Sequence, residues 1–196
     1  MAFAVLIFSY ILGSIPGAVL VGSLKGVKIT EKGSTNPGTA NVLRVLGTKE
    51  AVLCLLIDAG KGFLAVLIGS IWGYGLLACG AVIFGHNWSI FLRGKGGKGL
   101  ATLAGGLLGI TPVVLPLLII IYLIINLITS YISLSTVLTG LFLPVILFWQ
   151  IGSDGIFLGI VILIMVAIKH WRDLKAVRRG EEEKKNIVLK LFRKGR

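Results

Sequence analysis

The fold is decided by residues 100–132, which read LATLAGGLLGITPVVLPLLIIIYLIINLITSYI and carry no formal charge over 33 positions. The charge-free character extends further, because Asp154 is the only formally charged residue between Gly99 and Ile168. A helix on the surface of a soluble domain cannot run so far without charge, whereas a lipid-facing helix must. This stretch therefore predicts an all-α, polytopic membrane protein.

The same stretch is too long for one upright helix across a hydrocarbon core of about 30 Å, and it is short for two full ones. Thr111, Pro112 and Pro116 interrupt it, and proline ends or kinks a helix. We therefore expect a turn near Thr111 between two shortish helices. Further apolar runs predict spans at residues 2–21, 51–72, 75–92, 134–151 and 156–168.

The composition of the whole chain agrees with a membrane location. Of its 196 residues, 56% are hydrophobic and only 14% are charged, against about a quarter in a soluble domain. The net charge of +12 is also typical of proteins that bind nucleic acid. However, the basic residues lie in loops and a tail beside apolar runs, where they mark the cytoplasmic side and attract anionic headgroups. We expect anionic membrane lipids, and no nucleic acid, as partners; no pattern specifies an oligomeric state.

The basic residues also predict the sidedness of the chain. They fall in three blocks, at residues 25–61, 93–98 and 169–196. If residues 100–132 form two helices, all three blocks face one side, with seven transmembrane helices, the N-terminus outside and the C-terminus cytoplasmic. If they form one helix, the 11 positive charges of the tail lie outside, against the positive-inside rule. A five-span arrangement, with the shortest pair re-entrant, keeps the same sidedness.

We therefore expect a membrane domain over residues 1–168 and a basic cytoplasmic tail over residues 169–196. In the tail, the spacing of Ile187, Val188, Leu191 and Phe192 suits a short amphipathic helix on the membrane surface. A frayed, solvated tail fits the same residues equally well.

The first basic loop has the residue types of an anion-binding turn, since residues 32–44 read KGSTNPGTANVLR. Glycines with small hydroxyl or amide residues allow tight turns that point backbone N–H groups inward. Arg44 can add a bidentate clamp on a phosphate. An ordinary polar turn between helices is the alternative. We call residues 33–38 the first glycine loop. The candidate residues here are Ser34 and Arg44 for catalysis, and Gly33, Asn36, Gly38 and Asn41 for substrate binding.

A second basic loop follows the third predicted span, where residues 85–99 read GHNWSIFLRGKGGKG. Lys95 and Lys98 stand among glycines that let the backbone approach a ligand, and we call residues 94–99 the second glycine loop. The spacing of a nucleoside triphosphatase loop is not met, because Gly99 follows Lys98. His86 is either a functional ionisable group or a structural hydrogen-bonder. The candidates here are His86, Asn87 and Lys98 for catalysis, and Lys95, Gly96 and Gly97 for substrate binding.

Two further patterns bear on chemistry. Asp58 and Lys61 are three residues apart, so they share one helix face and are expected to form an ion pair that ties spans together. The two histidines and scattered acids lack metal-ligand spacing, and no nucleophile motif is readable. We expect neither a metal nor an organic cofactor.

Three segments taken together resemble the acyl-phosphate:glycerol-3-phosphate acyltransferase family of the PlsY type. They are residues 13–16 (GSIP), residues 33–44, and residues 85–89 with 95–102; residues 58–62 (DAGKG) and 131–134 (YISL) also fit. The resemblance covers nearly the whole chain in order and spacing. It implies a seven-helix enzyme of the bacterial cytoplasmic membrane with its site open to the cytoplasm. Such enzymes move a fatty acyl group from acyl phosphate to the 1-hydroxyl of glycerol 3-phosphate, giving lysophosphatidate.

The resemblance also implies roles for individual residues. Glycerol 3-phosphate would be held by Ser34, Arg44, Lys98, Ser133 and His170. The first glycine loop, around Asn36 and Gly38, would receive the acyl phosphate, and His86 and Asn87 would belong to a shared loop motif. The chain departs from the family pattern at Lys28, Thr30, Thr35, Ala40 and Asp173, where Asp, Arg, Gly, Thr and Asn are common. It would therefore be a divergent member.

Two other functions compete with the enzyme. A transporter for a small organic anion needs ionisable groups near the bilayer midplane and paired broken helices, whereas the charges here cluster at one interface. A non-catalytic membrane scaffold explains the basic tail but leaves the two glycine loops without a purpose.

Overall fold

A computed structural model of the chain describes residues 1–186, and every regular element in that range is helical. The all-α prediction is therefore confirmed. The predicted amphipathic helix at Ile187, Val188, Leu191 and Phe192 lies outside the described residues. The α-helices are α1 Ala2–Ser14, α2 Gly17–Leu24, α3 Thr39–Val45, α4 Thr48–Ile71, α5 Gly75–Asn87, α6 Leu100–Ile110, α7 Val114–Thr129, α8 Ile132–Gly140, α9 Leu143–Ile151 and α10 Ser153–Arg178. Single 3-10 turns lie at Ile29–Glu31 and Ile90–Leu92.

Five segments within residues 1–186 are long and apolar enough to cross a membrane. They are Ala2–Leu24, Thr48–Ile71, Gly75–Leu92, Ile132–Ile151 and Ser153–Arg178. Helices α6 and α7 have 11 and 16 residues, or about 17 and 24 Å at 1.5 Å per residue. The chain leaves the helix between them at Thr111, which confirms the predicted turn. Helix α10 continues through residue 168 without interruption and ends at Arg178.

The first span is one apolar run in the sequence but two helices in the structure. Pro16 has no backbone N–H, so α1 ends at Ser14 and α2 begins at Gly17. The turn takes two carbonyl oxygens out of the regular helical pattern. That of Ser14 accepts a hydrogen bond from the Ser89 hydroxyl at 2.5 Å, and that of Ile15 accepts one from the Lys61 ammonium group at 2.6 Å. The break is thereby tied to two neighbouring spans.

Close helix packing in this part of the chain depends on glycine. A Cβ atom on Gly13 of α1 would collide with the Val82 carbonyl oxygen of α5, and one on Gly62 of α4 would collide with the Thr102 carbonyl oxygen of α6. Small residues let apolar helices approach until their backbones touch, which is how helices associate in lipid. The backbones that carry the two basic loops are therefore held at fixed separations.

The chain forms two compact units, each described by itself: Met1–Ile110, and a second that begins at Thr111. In the second unit, α10 packs on α8 and α9, and α7 packs on α8. Gly159 of α10 allows a close approach to Pro144 of α9. The span Ile132–Ile151 is itself broken between Gly140 and Leu143, where Pro144 stands near the start of α9.

Candidate active site

The first glycine loop is organised by the side chain of Asn41, which is 1% exposed. Its Oδ1 accepts a hydrogen bond from the backbone N–H of Ser34 at 2.8 Å. Its Nδ2 donates to the carbonyl oxygens of Ile29 and Lys32, both at 3.0 Å. Asn41 was predicted to bind substrate; the structure shows its amide bonded to the loop backbone, where it fixes the position of Ser34.

Two residues of this loop have left-handed backbone conformations. Gly33 has φ +62°, and a Cβ atom there would collide with Asn41 Oδ1. Thr35 has φ +59°, which is strained for a β-branched residue. Ser34 and Thr35 are exposed, and Arg44 projects exposed from α3. The loop therefore presents a hydroxyl group, and the helix that follows it presents a guanidinium group.

The second glycine loop lies against the end of α5. Gly97 donates its N–H to the His86 carbonyl oxygen at 3.1 Å, and a Cβ atom on Gly96 would collide with that same oxygen. A Cβ atom on Gly97 would also come within 3.0 Å of the Pro37 carbonyl oxygen in the first glycine loop. The two glycine loops therefore meet at Gly97, and a side chain at that position would separate them. Lys95 is exposed and Lys98 half-buried.

A buried ionic cluster lies beneath these loops. Asp58 Oδ1 is 2.9 Å from Lys61 Nζ, which confirms the predicted ion pair on α4. The same oxygen is 3.5 Å from Nδ1 of His86 on α5, so His86 is part of the cluster and is 6% exposed. The sequence indicates the ion pair through its local spacing, but it does not reveal the contact with His86, 28 positions further along the chain.

Ser133 and His170 belong to the second unit. The Ser133 hydroxyl, 3% exposed, donates to the carboxylate of Glu182, whose oxygens lie at 2.8 and 2.6 Å. His170 is also buried, and its Nδ1 is 2.9 Å from the carbonyl oxygen of Val166 one turn earlier. With Nδ1 donating to that carbonyl, the orientation of the His170 ring is fixed by its own helix.

Glu182 is a residue that sequence reasoning missed. It belongs to a short docked segment after α10, in which the backbone N–H of Lys185 donates to the Ser130 carbonyl oxygen at 2.6 Å. The amide of Asn126 donates to the Lys185 carbonyl oxygen at 3.3 Å, and the amide of Asn186 donates to that of Leu127 at 3.1 Å. In the sequence Glu182 is one of three glutamates in a charged tail, so no local pattern distinguishes it.

The described part of the chain offers no cluster of metal-ligating side chains. Among residues 1–186, no group of three or more His, Cys, Asp or Glu side chains is placed to hold a metal ion. The first unit brings together two glycine loops, exposed or half-buried basic side chains and a buried histidine. This set of groups is suited to binding phosphate.

A family model described as glycerol-3-phosphate acyltransferase matches residues 3–180. The chain belongs to the glycerol-3-phosphate acyltransferase family. A relative of that name from Carboxydothermus hydrogenoformans is 39% identical, with 91% of this chain and 93% of the relative aligned. Another, from Chromobacterium violaceum, is 37% identical, with 93% and 94% aligned.

Two solved structures of PlsY, an integral membrane glycerol 3-phosphate acyltransferase, have the same fold. The glycerol 3-phosphate form gives a TM-score of 0.86 at 31% identity over 97% of this chain and 98% of the other. The lysophosphatidic acid form gives 0.84 at 31% identity over 93% and 94%. The family predicted from the loop motifs is thereby confirmed, as is the prediction of a membrane glycerol-3-phosphate acyltransferase. The family assignment favours the enzyme over the transporter and the scaffold.

Proposed function

We propose that the acyl donor of this enzyme is an acyl phosphate and that the 1-hydroxyl of glycerol 3-phosphate is the acceptor. The observation that carries the proposal is the meeting of the two glycine loops at Gly97 and Pro37. Both substrates bear a phosphate group, and two adjoining glycine loops with basic side chains offer more than one place for an anion. The solved glycerol 3-phosphate form of PlsY, at 31% identity, supports the acceptor.

The chemistry of the site residues assigns each of them to one of the two substrates. In the proposal, the first glycine loop receives the acyl phosphate through Gly33, Asn36 and Gly38. Arg44 and Lys98 supply the positive charge for glycerol 3-phosphate, assisted by Ser34, and Gly96 and Gly97 let the loop backbone lie close to the site. Arginine suits this task because its planar fork makes two parallel hydrogen bonds to a phosphate. Lys95 is exposed and adds a further positive charge beside the loop.

Ser133 and His170 stay predicted substrate-binding residues on the family resemblance. In this structure the Ser133 hydroxyl is hydrogen-bonded to Glu182. Glycerol 3-phosphate would compete with that carboxylate for the hydroxyl, because the Ser133 side chain has a single proton to donate.

The reaction needs no protein nucleophile. The 1-hydroxyl oxygen of the acceptor attacks the carbonyl carbon of the acyl phosphate, and the bond between that carbon and the phosphate oxygen breaks. Lysophosphatidate forms and inorganic phosphate leaves, and the released phosphate takes up the proton that the hydroxyl group loses. Because the mixed anhydride is already activated, holding the two substrates together and stabilising the developing negative charge are the main tasks of the protein.

The proposed setting is a bacterial cell membrane, with seven spans, the N-terminus outside and the glycine loops open to the cytoplasm. The break at Thr111–Val113 supports the seven-span count. The orientation is supported by the sequence, because seven spans would put all three basic blocks on the same side. The exposed arginine and lysine residues at the end of α10 would then face anionic headgroups on the same side.

Acyl transfer to labelled glycerol 3-phosphate tests the proposal. The purified protein receives either palmitoyl phosphate or palmitoyl-CoA, and labelled lysophosphatidate is measured. We expect product from palmitoyl phosphate alone. Product from palmitoyl-CoA alone would contradict the proposed donor, and no product from either donor would contradict the proposed reaction.

A further inference from the structure

Asp58 contacts more than its ion-pair partner, although it is 1% exposed. Besides Lys61 Nζ at 2.9 Å and His86 Nδ1 at 3.5 Å, it accepts a hydrogen bond at Oδ2 from the Cys54 thiol at 3.6 Å. Lys61 and Cys54 lie on the same helix as Asp58, α4, and His86 lies on α5. Through each of these partner side chains, Asp58 is connected to a different segment of the first unit.

One contact extends to the second glycine loop. The imidazole of His86 has Nδ1 toward Asp58, and its Nε2 lies where a Cβ atom on Gly97 would collide with it. The backbone of His86 also accepts the Gly97 N–H at 3.1 Å. The His86 ring is therefore packed between the buried carboxylate of Asp58 and the loop backbone, and Gly97 packs against it.

Another contact extends to the first glycine loop. The Cys54 thiol that donates to Asp58 accepts a hydrogen bond from the Thr39 hydroxyl at 3.6 Å. Thr39 is the first residue of α3 and directly follows the first glycine loop. In addition, Lys61 donates to the carbonyl oxygen of Ile15 at the break in the first span. The carboxylate is thus connected to the two loops and to the helix break.

We propose that Asp58 is a positioning residue for acyl transfer, which sets the second glycine loop through His86 and the first glycine loop through Cys54 and Thr39. The mechanistic part of this inference rests on the proposed function, since it takes the loops to be the phosphate sites. The carboxylate itself touches neither loop, so it acts through the side chains that do. His86 serves as a packing surface here, because its Nε2 faces the Gly97 backbone.

The test compares Asp58→Asn with variants that cut one connection each, His86→Ala and Cys54→Ala. Amide hydrogen exchange is followed in the peptides that contain Gly97 and Val42, whose N–H groups are bonded to the His86 and Gly38 carbonyl oxygens. We expect Asp58→Asn to speed exchange in both peptides by about tenfold or more, as local opening becomes easier. His86→Ala should act mainly on the Gly97 peptide and Cys54→Ala mainly on the Val42 peptide.

Steady-state kinetics provide the second measurement. Displacing a substrate-binding loop by about 1 Å costs up to about 100-fold, so Asp58→Asn should raise KM for glycerol 3-phosphate more than it lowers kcat. The effects of Asp58→Asn and His86→Ala should be non-additive, since the carboxylate cannot position a ring that is absent. Val66→Ala is the control: it opens a cavity in the same helix at a fully buried position, so it should lower Tm and leave both peptides and KM unchanged.

The pair Asp58→Asn/Lys61→Met replaces the single variant if the unpaired Lys61 prevents folding. Unchanged exchange in both peptides with only a lower Tm would overturn the inference and leave Asp58 with a structural role alone. The exchange result does not depend on catalysis, so a wild-type protein that made no lysophosphatidate would contradict the proposed function without deciding the role of Asp58.

Discussion

The hydroxyl of Ser133 donates to the carboxylate of Glu182, which places an acidic side chain from the segment after α10 on the first turn of α8. The two residues are 49 positions apart in the sequence. Ser133 is predicted to bind glycerol 3-phosphate, and in the structure its hydroxyl bonds to the carboxylate. The segment that carries Glu182 is therefore held to the start of α8 by a charge-assisted hydrogen bond.

Removing the Glu182 carboxylate should destabilise this unit. A hydrogen bond to a charged group contributes about 1.5–3 kcal/mol, so we expect Glu182→Ala to lower the free energy of unfolding by that amount, and Glu182→Gln to lower it less. Thermal unfolding in detergent measures the effect. The neighbouring Glu181→Ala is the matched control, because Glu181 is exposed and pairs only loosely with Arg179, at 3.7 Å. Equal Tm values for the Glu181 and Glu182 variants would show that the contact contributes nothing.

Asn41→Asp tests whether the Asn41 amide holds the first glycine loop. The new carboxylate can still accept from the Ser34 N–H, but one of its oxygens faces the Ile29 and Lys32 carbonyl oxygens to which the amide donates. We expect a loss of about 1–3 kcal/mol in stability and of about 100-fold in kcat/KM, measured by unfolding and acyl transfer. Leu43→Ala, at an exposed position of the same helix, should change kcat/KM little. A fully active Asn41→Asp would contradict this role.

Replacing Thr35 by glycine should stabilise the protein. Thr35 has φ +59°, and a left-handed conformation costs a residue other than glycine about 1–2 kcal/mol. We expect Thr35→Gly to raise the free energy of unfolding by about 1 kcal/mol, since the strain is relieved. Ala40→Gly, in α3 and also exposed, should lower it by about 0.5–1 kcal/mol. Chemical denaturation measures the free energy of unfolding of both variants. A lower value for Thr35→Gly than for the unaltered protein would contradict the strain at Thr35.

Cysteine labelling distinguishes seven spans from five. Both native cysteines are fully buried, so the background from a membrane-impermeant maleimide should be low. With seven spans, Val113→Cys and Ser153→Cys react from outside the cell, and Thr30→Cys reacts only after permeabilisation. With α6 and α7 re-entrant, Val113→Cys would not react from outside, although Ser153→Cys still would. All three positions are exposed in the structure.

Features set by local sequence were predictable. The apolar runs give the helices, Pro112 gives the break after α6, and the three-residue spacing gives the Asp58–Lys61 pair. Two other breaks were not foreseen. Residues 2–21 and 134–151 are each predicted as one span, yet the first is divided at Pro16 and the second between Gly140 and Leu143. Length and hydropathy do not reveal the break at Pro16, because the carbonyl oxygens that it frees accept hydrogen bonds from Lys61 and Ser89, which lie in other spans.

Features set by contacts distant in sequence were not predictable. The candidate residues of the two loops could be named from their types, but the sequence does not show that Gly97 and Pro37 meet. Nor does the sequence show that the amide of Asn41, which is predicted to bind substrate, is hydrogen-bonded to the backbone of the first glycine loop. The docked position of Glu182 depends on hydrogen bonds to α7 and α8 that no periodicity encodes.

The most direct test of the central claim is the kinetics of Arg44→Ala with palmitoyl phosphate and glycerol 3-phosphate, compared with Lys49→Ala. Both side chains are exposed and basic, and they lie five positions apart, so the pair separates a specific phosphate contact from general positive charge. We predict that Arg44→Ala loses about 100-fold or more in kcat/KM, while Lys49→Ala stays within about twofold because its exposed charge is screened. Equal activity of the two variants, or an active Arg44→Ala, would contradict the assignment of the site to these loops.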